Sequence, residues 1–196
     1  MKAVSGLGEG YREIYAVDLQ KDKKTAVLVN AAALLVAVVM AVPMAFVVPL
    51  STMFDTEQGL EQGLIALLFR LVASMVLMIV CLVLHELTHG VAMKLCGTKK
   101  VRYGFTGLYE VVRSDDYYDK TAYIFIALAP VVLWGIVIAL VNGVVNAQWF
   151  WVVYLLQIIN VSGAVGNLFV TIKFAAMPKD ILVKDDGVSM TVYSRE

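Results

Sequence analysis

Apolar residues in this chain fall into four long blocks, and the polar residues collect in the gaps between them. The blocks cover residues 25–50, 64–93, 121–142 and 149–172. A helix needs roughly 20 residues to cross about 30 Å of hydrocarbon, and every block meets that length. The first carries no charge and has Pro43 and Pro49 toward its far end. The second runs into a polar motif and stops near Lys94, while the third follows Lys120 and contains Pro130. The fourth opens on Trp149, Phe150 and Trp151, residue types that favour a membrane interface. Outside the blocks the period changes. Residues 101–109 (VRYGFTGLY) alternate loosely and predict a strand or hairpin against the membrane face. In the tail, ILVKDDGVSMTVY predicts two short strands around the turn signal Asp185-Asp186-Gly187. The expected fold is therefore all-α and integral to a membrane: one domain over 1–196, with four transmembrane helices and small membrane-associated β elements.

Charge placement orients these helices. Of sixteen basic residues, fifteen lie in 1–24, between the second and third helices, or from Lys173 onward. The exception is Arg70, expected to reach outward to lipid headgroups. Positive charge is retained on the cytoplasmic side, so both termini are expected there, with 1–24 and 173–196 as cytoplasmic segments. Residues 1–24 contain no apolar core of a cleaved signal peptide, which leaves targeting to the first helix. Composition agrees: 60% of residues are hydrophobic, against about half in soluble domains. Zero net charge and the lack of a basic helix give no sign of a nucleic-acid partner. Cys81, inside an apolar helix, and Cys96, beside cytoplasmic lysines, are not expected to form a disulfide.

The candidate chemistry sits at the end of the second block. The chain has two histidines, and both lie in His85-Glu86-Leu87-Thr88-His89. Residues four apart share a helix face, so both imidazoles can close on one zinc ion. Glu86 follows the first ligand, where a carboxylate can take a proton from an attacking water. At about 1.5 Å per residue, His85 lies roughly 13 Å inside the helix end at Lys94. Ionisable groups at that depth mark a functional interior or a wet cavity. A hydrolytic zinc usually has three protein ligands, and no histidine remains. Asn167, six residues before Lys173, sits at a similar depth and follows the small-residue run 162–166. It is read either as a ligand or neighbour of the metal, or as a helix-packing residue. Asp180, Asp185 and Asp186 are alternative carboxylates, with Glu110 and the cluster Asp115, Asp116 and Asp119 ranked below them. Gln157 and Asn160 are expected to bond across to a neighbouring helix, and Pro130 to bend the third helix near the metal.

These residues carry a family resemblance. An HExxH motif on a membrane helix, entered from the cytoplasmic side, resembles the site-2 proteases, which cut peptides within or beside the membrane. A closer likeness is to an uncharacterised bacterial family of membrane zincin metallopeptidases. It rests on a tyrosine-rich stretch at 11–19, HELTHG at 85–90, YIFIALAP at 123–130 and SGAVGN at 162–167. The resemblance implies a bacterial plasma membrane and places the third ligand at position 167, commonly aspartate in that pattern and here Asn167. The expected function is zinc-dependent hydrolysis of peptide bonds in membrane or membrane-proximal substrates near the cytoplasmic face. The alternative is a catalytically impaired or regulatory relative that binds without cutting. A metal transporter is disfavoured, because apart from Glu86 and the motif histidines no acidic or histidine residue lies deep in a helix.

Overall fold

A computed structural model describes residues 2–18, 21–54, 59–105, 110–186 and 189–195, with the side chains of Phe105, Glu110 and Val111 outside the described set. The elements run β1 (Ala3–Val4), β2 (Tyr11–Asp18), α1 (Lys23–Val47), a 3-10 turn (Leu50–Met53), α2 (Leu60–Leu95), β3 (Arg102–Phe105), β4 (Glu110–Arg113), β5 (Tyr117–Asp119), α3 (Lys120–Val144), α4 (Ala147–Gly163), α5 (Val165–Ala175), β6 (Leu182–Asp185) and β7 (Ser189–Arg195). Four helical stretches are long and apolar enough to cross a membrane: Lys23–Val47, Leu60–Leu95, Lys120–Val144 and Ala147–Ala175. The last is interrupted at Ala164, which closes α4 at φ −81°, ψ 2° inside the small-residue run. The predicted single fourth helix is thus two helices end to end.

The chain divides into two compact units. One comprises residues 1–30, 84–130 and 165–196. Its centre is a five-stranded antiparallel sheet in the order β1-β5-β6-β7-β2. Ala92 of α2, Ala122 of α3 and Phe174 of α5 share a buried core with Val183 and Val192 of the sheet. Asp119 joins sheet to helix: one carboxylate oxygen accepts from the Ala122 N–H at 2.7 Å and the other from the Lys2 N–H at 2.8 Å. The Lys120 ammonium donates to the Ala175 and Met177 carbonyls, at 2.9 and 2.7 Å, closing the end of α5. Strands from the N-terminal segment, the α2–α3 connection and the tail are hydrogen-bonded in one sheet.

The sheet is larger than the pattern predicts. The β6–β7 hairpin falls where the tail signal puts it, and β3–β4 pair as a separate hairpin, although 106–109 lie outside the described residues. Strands β1, β5 and β2 are the additions, and β2 is the longest of them. The register of β2 against β7 shifts between Glu13 and Tyr15, and such a bulge breaks the alternation that would reveal a strand.

The other unit, residues 31–83 and 131–164, is helical. Large apolar side chains face outward along it, Leu34 at 65%, Phe69 at 64% and Leu140 at 68% exposure, the kind of surface a bilayer covers. Two of its polar side chains, Asn160 and Arg70, bond inward, whereas the buried Asn142 and Gln157 side-chain oxygens have no hydrogen-bond partner among the described residues. The Asn160 amide donates to the Val131 carbonyl at 3.1 Å, the expected bond between helices. Arg70 corrects its expectation: it is buried, and its guanidinium donates to the Met53 carbonyl at the end of the 3-10 turn. An unpaired carbonyl there attracts the long side chain away from the headgroups.

Candidate metal centre

Helix α2 is a 36-residue helix in which His85 and His89 stand one turn apart. Their rings are 5.1 Å apart between centroids, with planes at 72°. One donor atom from each of His85, Glu86 and His89 lies within 4.8 Å of the others, and all three residues are half-buried. Among the described residues this is the group of histidine, cysteine and carboxylate side chains that could hold a metal.

A proline on α3 sets the orientation of His89. Pro130 has no N–H, so the carbonyl four residues earlier, on Ile126, loses its usual helical donor. The His89 Nδ1 lies 2.9 Å from that carbonyl oxygen. A carbonyl can only accept, so Nδ1 carries the proton and Nε2 keeps its lone pair. This is the arrangement that fixes a metal-binding imidazole, with one nitrogen anchored to a carbonyl and the other presented to the ion. Pro130→Ala restores an N–H that competes for the Ile126 oxygen. That variant is expected to bind zinc about ten- to hundredfold more weakly while its helix becomes more stable, read by zinc titration beside thermal unfolding. Zinc affinity equal to the parent's would show that the anchor is unimportant.

Asn167, on the first turn of α5, brings its amide nitrogen to 3.5 Å from the same His89 Nε2. The two ends of an amide are nearly isosteric, so a half-turn of the group offers Oδ1 to a cation held by that nitrogen. At Gly166 beside it a Cβ would meet Val29 of α1 at 3.8 Å, an ordinary contact, so the small residue is not required for packing there. Next to His89, a Cβ at Gly90 would overlap the Tyr103 hydroxyl of β3, so a larger residue there would displace the exposed Tyr103 ring.

A cavity of about 150 Å³ opens at this point, lined among others by Glu86, His89, Asn167, Tyr118, Tyr123 and Asp185. The donor set suits zinc: two imidazoles, a carboxylate beside them and an amide oxygen available from a second helix. The other carboxylates named from sequence are elsewhere. Asp186 accepts from the Ser189 N–H and hydroxyl within the β6–β7 turn. Asp115 pairs with Arg102 at 2.6 Å on the exposed hairpin, Asp119 caps α3, and Asp180 is exposed. Asp116 is not among the residues lining the cavity, and the Glu110 side chain is outside the described set. Sequence reasoning missed Tyr118 and Tyr123. Tyr118 is 1% exposed and shares hydrogen bonds with the Thr98 and Ser114 hydroxyls at 2.7 and 2.6 Å, and burial pushes its own hydroxyl pKa up. The Ile126 carbonyl was also missed, although Pro130 four residues on was a signal for it.

A family model described as "Putative zincin peptidase" matches residues 78–182, which include the motif, Pro130, Asn167 and part of the sheet. The chain belongs to this zincin peptidase family. It is also 32% identical over 115 residues to an uncharacterized 24.7 kDa protein (gap 5′ region) of Pyrococcus woesei. The match covers 56% of this chain and 49% of that protein, so the chain spans about half the length of this curated relative. No solved structure matches the chain.

Proposed function

We propose that this zincin is a zinc-dependent peptidase embedded in a membrane, cutting peptide bonds of membrane or membrane-proximal substrates near the cytoplasmic face. The observation that carries the reading is the His89 ring. Its Nδ1 is anchored on a carbonyl that Pro130 frees, and its Nε2 lone pair is held beside Glu86, His85 and Asn167. His85 and His89 would hold the ion, with Asn167 as a neutral third donor. A zinc ion there would supply a Lewis acid for the scissile carbonyl and acidify the attacking water. Glu86, lining the same cavity, takes the proton from that water and passes it to the nitrogen of the departing amine. The substrate must arrive extended, because a helix hides its carbonyls in its own hydrogen bonds. Val112 of β4 lines the cavity, so the β3–β4 hairpin, whose strands pair only with each other among the described residues, adjoins the site with free backbone edges. An extended peptide can add to such an edge. Retention of the basic segments on the cytoplasmic side of a plasma membrane, bacterial by the resemblance above, would open the cavity toward the cytoplasm.

The experiment is cleavage of an unfolded reporter peptide by the full chain in mild detergent. Turnover is expected to vanish when a chelator removes the metal and to return when zinc is added. Cleavage that survives complete removal of metal would contradict the proposal. A second reading, a relative that binds without cutting, is favoured by Asn167, because an amide is a weaker zinc donor than a carboxylate. It expects stoichiometric zinc and no turnover in the same assay.

A further inference from the structure

The cavity beside His89 is lined by two carboxylates, Glu86 and Asp185, and by no lysine or arginine among its described lining residues. The two arrive from different parts of the fold. Glu86 comes from α2, whereas Asp185 ends β6, opposite Met190 in the β6–β7 hairpin. Asp185 is held in place: the Tyr123 hydroxyl on α3 donates to its Oδ2 at 2.5 Å. Tyr123 is itself fixed, 6% exposed, with its ring 5.2 Å from that of Phe174. A phenol has one proton, and one that donates to a carboxylate favours the ionised acceptor.

Asp185 thus brings a second carboxylate, besides Glu86, to the cavity that His89 and Asn167 also line. Two imidazoles and an amide bring no charge to offset a dication. We infer that Asp185 supplies the anionic charge that Asn167 withholds, acting as a positioning and charge-balancing residue of the metal centre. The inference rests on the zinc reading above. Asp185 lies outside the set of donor atoms within 4.8 Å of one another, so it acts across the cavity, through space or through an intervening water. On this account the sheet completes the site, because the β6–β7 hairpin adds a second carboxylate to the one that α2 supplies in Glu86.

The test is zinc titration against a chelating dye, using the full chain in detergent, stripped of metal. Asp185→Asn is expected to weaken zinc binding about ten- to hundredfold, the usual effect of losing a group that supports the ligands. Asp180→Asn, at an exposed position outside the cavity, is expected to match the parent. Adding Asn167→Asp to Asp185→Asn is expected to return the affinity to near the parent's, because a carboxylate then reaches the same ion from α5. Parent-like affinity in Asp185→Asn overturns the inference. So does a loss that Asn167→Asp leaves uncorrected, since that outcome assigns Asp185 a purely structural role. If Asp185→Asn does not fold, Tyr123→Phe keeps the ring and carries the test: weaker zinc supports the inference, and unchanged zinc overturns it. A parent that takes up no zinc removes the underlying zinc reading instead, and is recognised because every variant then behaves alike.

Discussion

Glu86→Gln is expected to lower peptide cleavage by about 10²–10⁴-fold, the range that a positioned general base contributes. The same variant is expected to keep its zinc. The amide is nearly isosteric with the carboxylate, and His85 and His89 remain in place one turn apart. What it loses is a group able to take a proton from water. A fall in kcat at constant zinc content therefore separates base from ligand. Loss of zinc together with activity would mean that Glu86 holds the ion, and undiminished turnover would remove it from the mechanism. The placement of Glu86 next to His85 makes the distinction necessary, because its carboxylate lies within 4.8 Å of both histidine donors.

His89→Ala is expected to have a large effect on metal binding. Zinc in small protein sites binds with about 10–16 kcal/mol, so each of four ligands carries roughly 2.5–4 kcal/mol, on the order of 10²–10³-fold in affinity. His89 is anchored through Nδ1 to the Ile126 carbonyl, and the Asn167 amide meets it at Nε2. Removing the ring also leaves the Ile126 oxygen with neither a helical nor a side-chain donor, at a cost of about 1–3 kcal/mol if it stays dry. Elemental analysis and thermal unfolding read the two effects separately. Zinc at parental stoichiometry in both alanine variants would exclude this motif as the metal site.

The four helices were legible because apolar runs of this length have few other uses, and the motif because histidines four apart follow helix geometry directly. Other features depend on contacts that no local pattern encodes. Strand β2 was hidden by its bulge, and the interruption at Ala164 by the apolar character of the residues on either side. Arg70 was misplaced because the carbonyl that captures it belongs to a turn 17 residues earlier. At the site, Asn167 was found from its depth along the fourth block. Asp185 was named only as one of several carboxylates, since its approach to the cavity depends on how the sheet is paired. Pro130 was read as a bend, whereas its consequence at the site is the freed carbonyl at 126.

The central claim is that one zinc ion is held by two imidazoles and oxygen donors at this cavity. X-ray absorption at the zinc edge of the full chain tests it most directly. The account predicts one zinc per chain, with two imidazole nitrogens among light ligands at about 2.0–2.2 Å and no sulfur. Thiolate in the coordination shell, or the same spectrum from a chain lacking both His85 and His89, would contradict it.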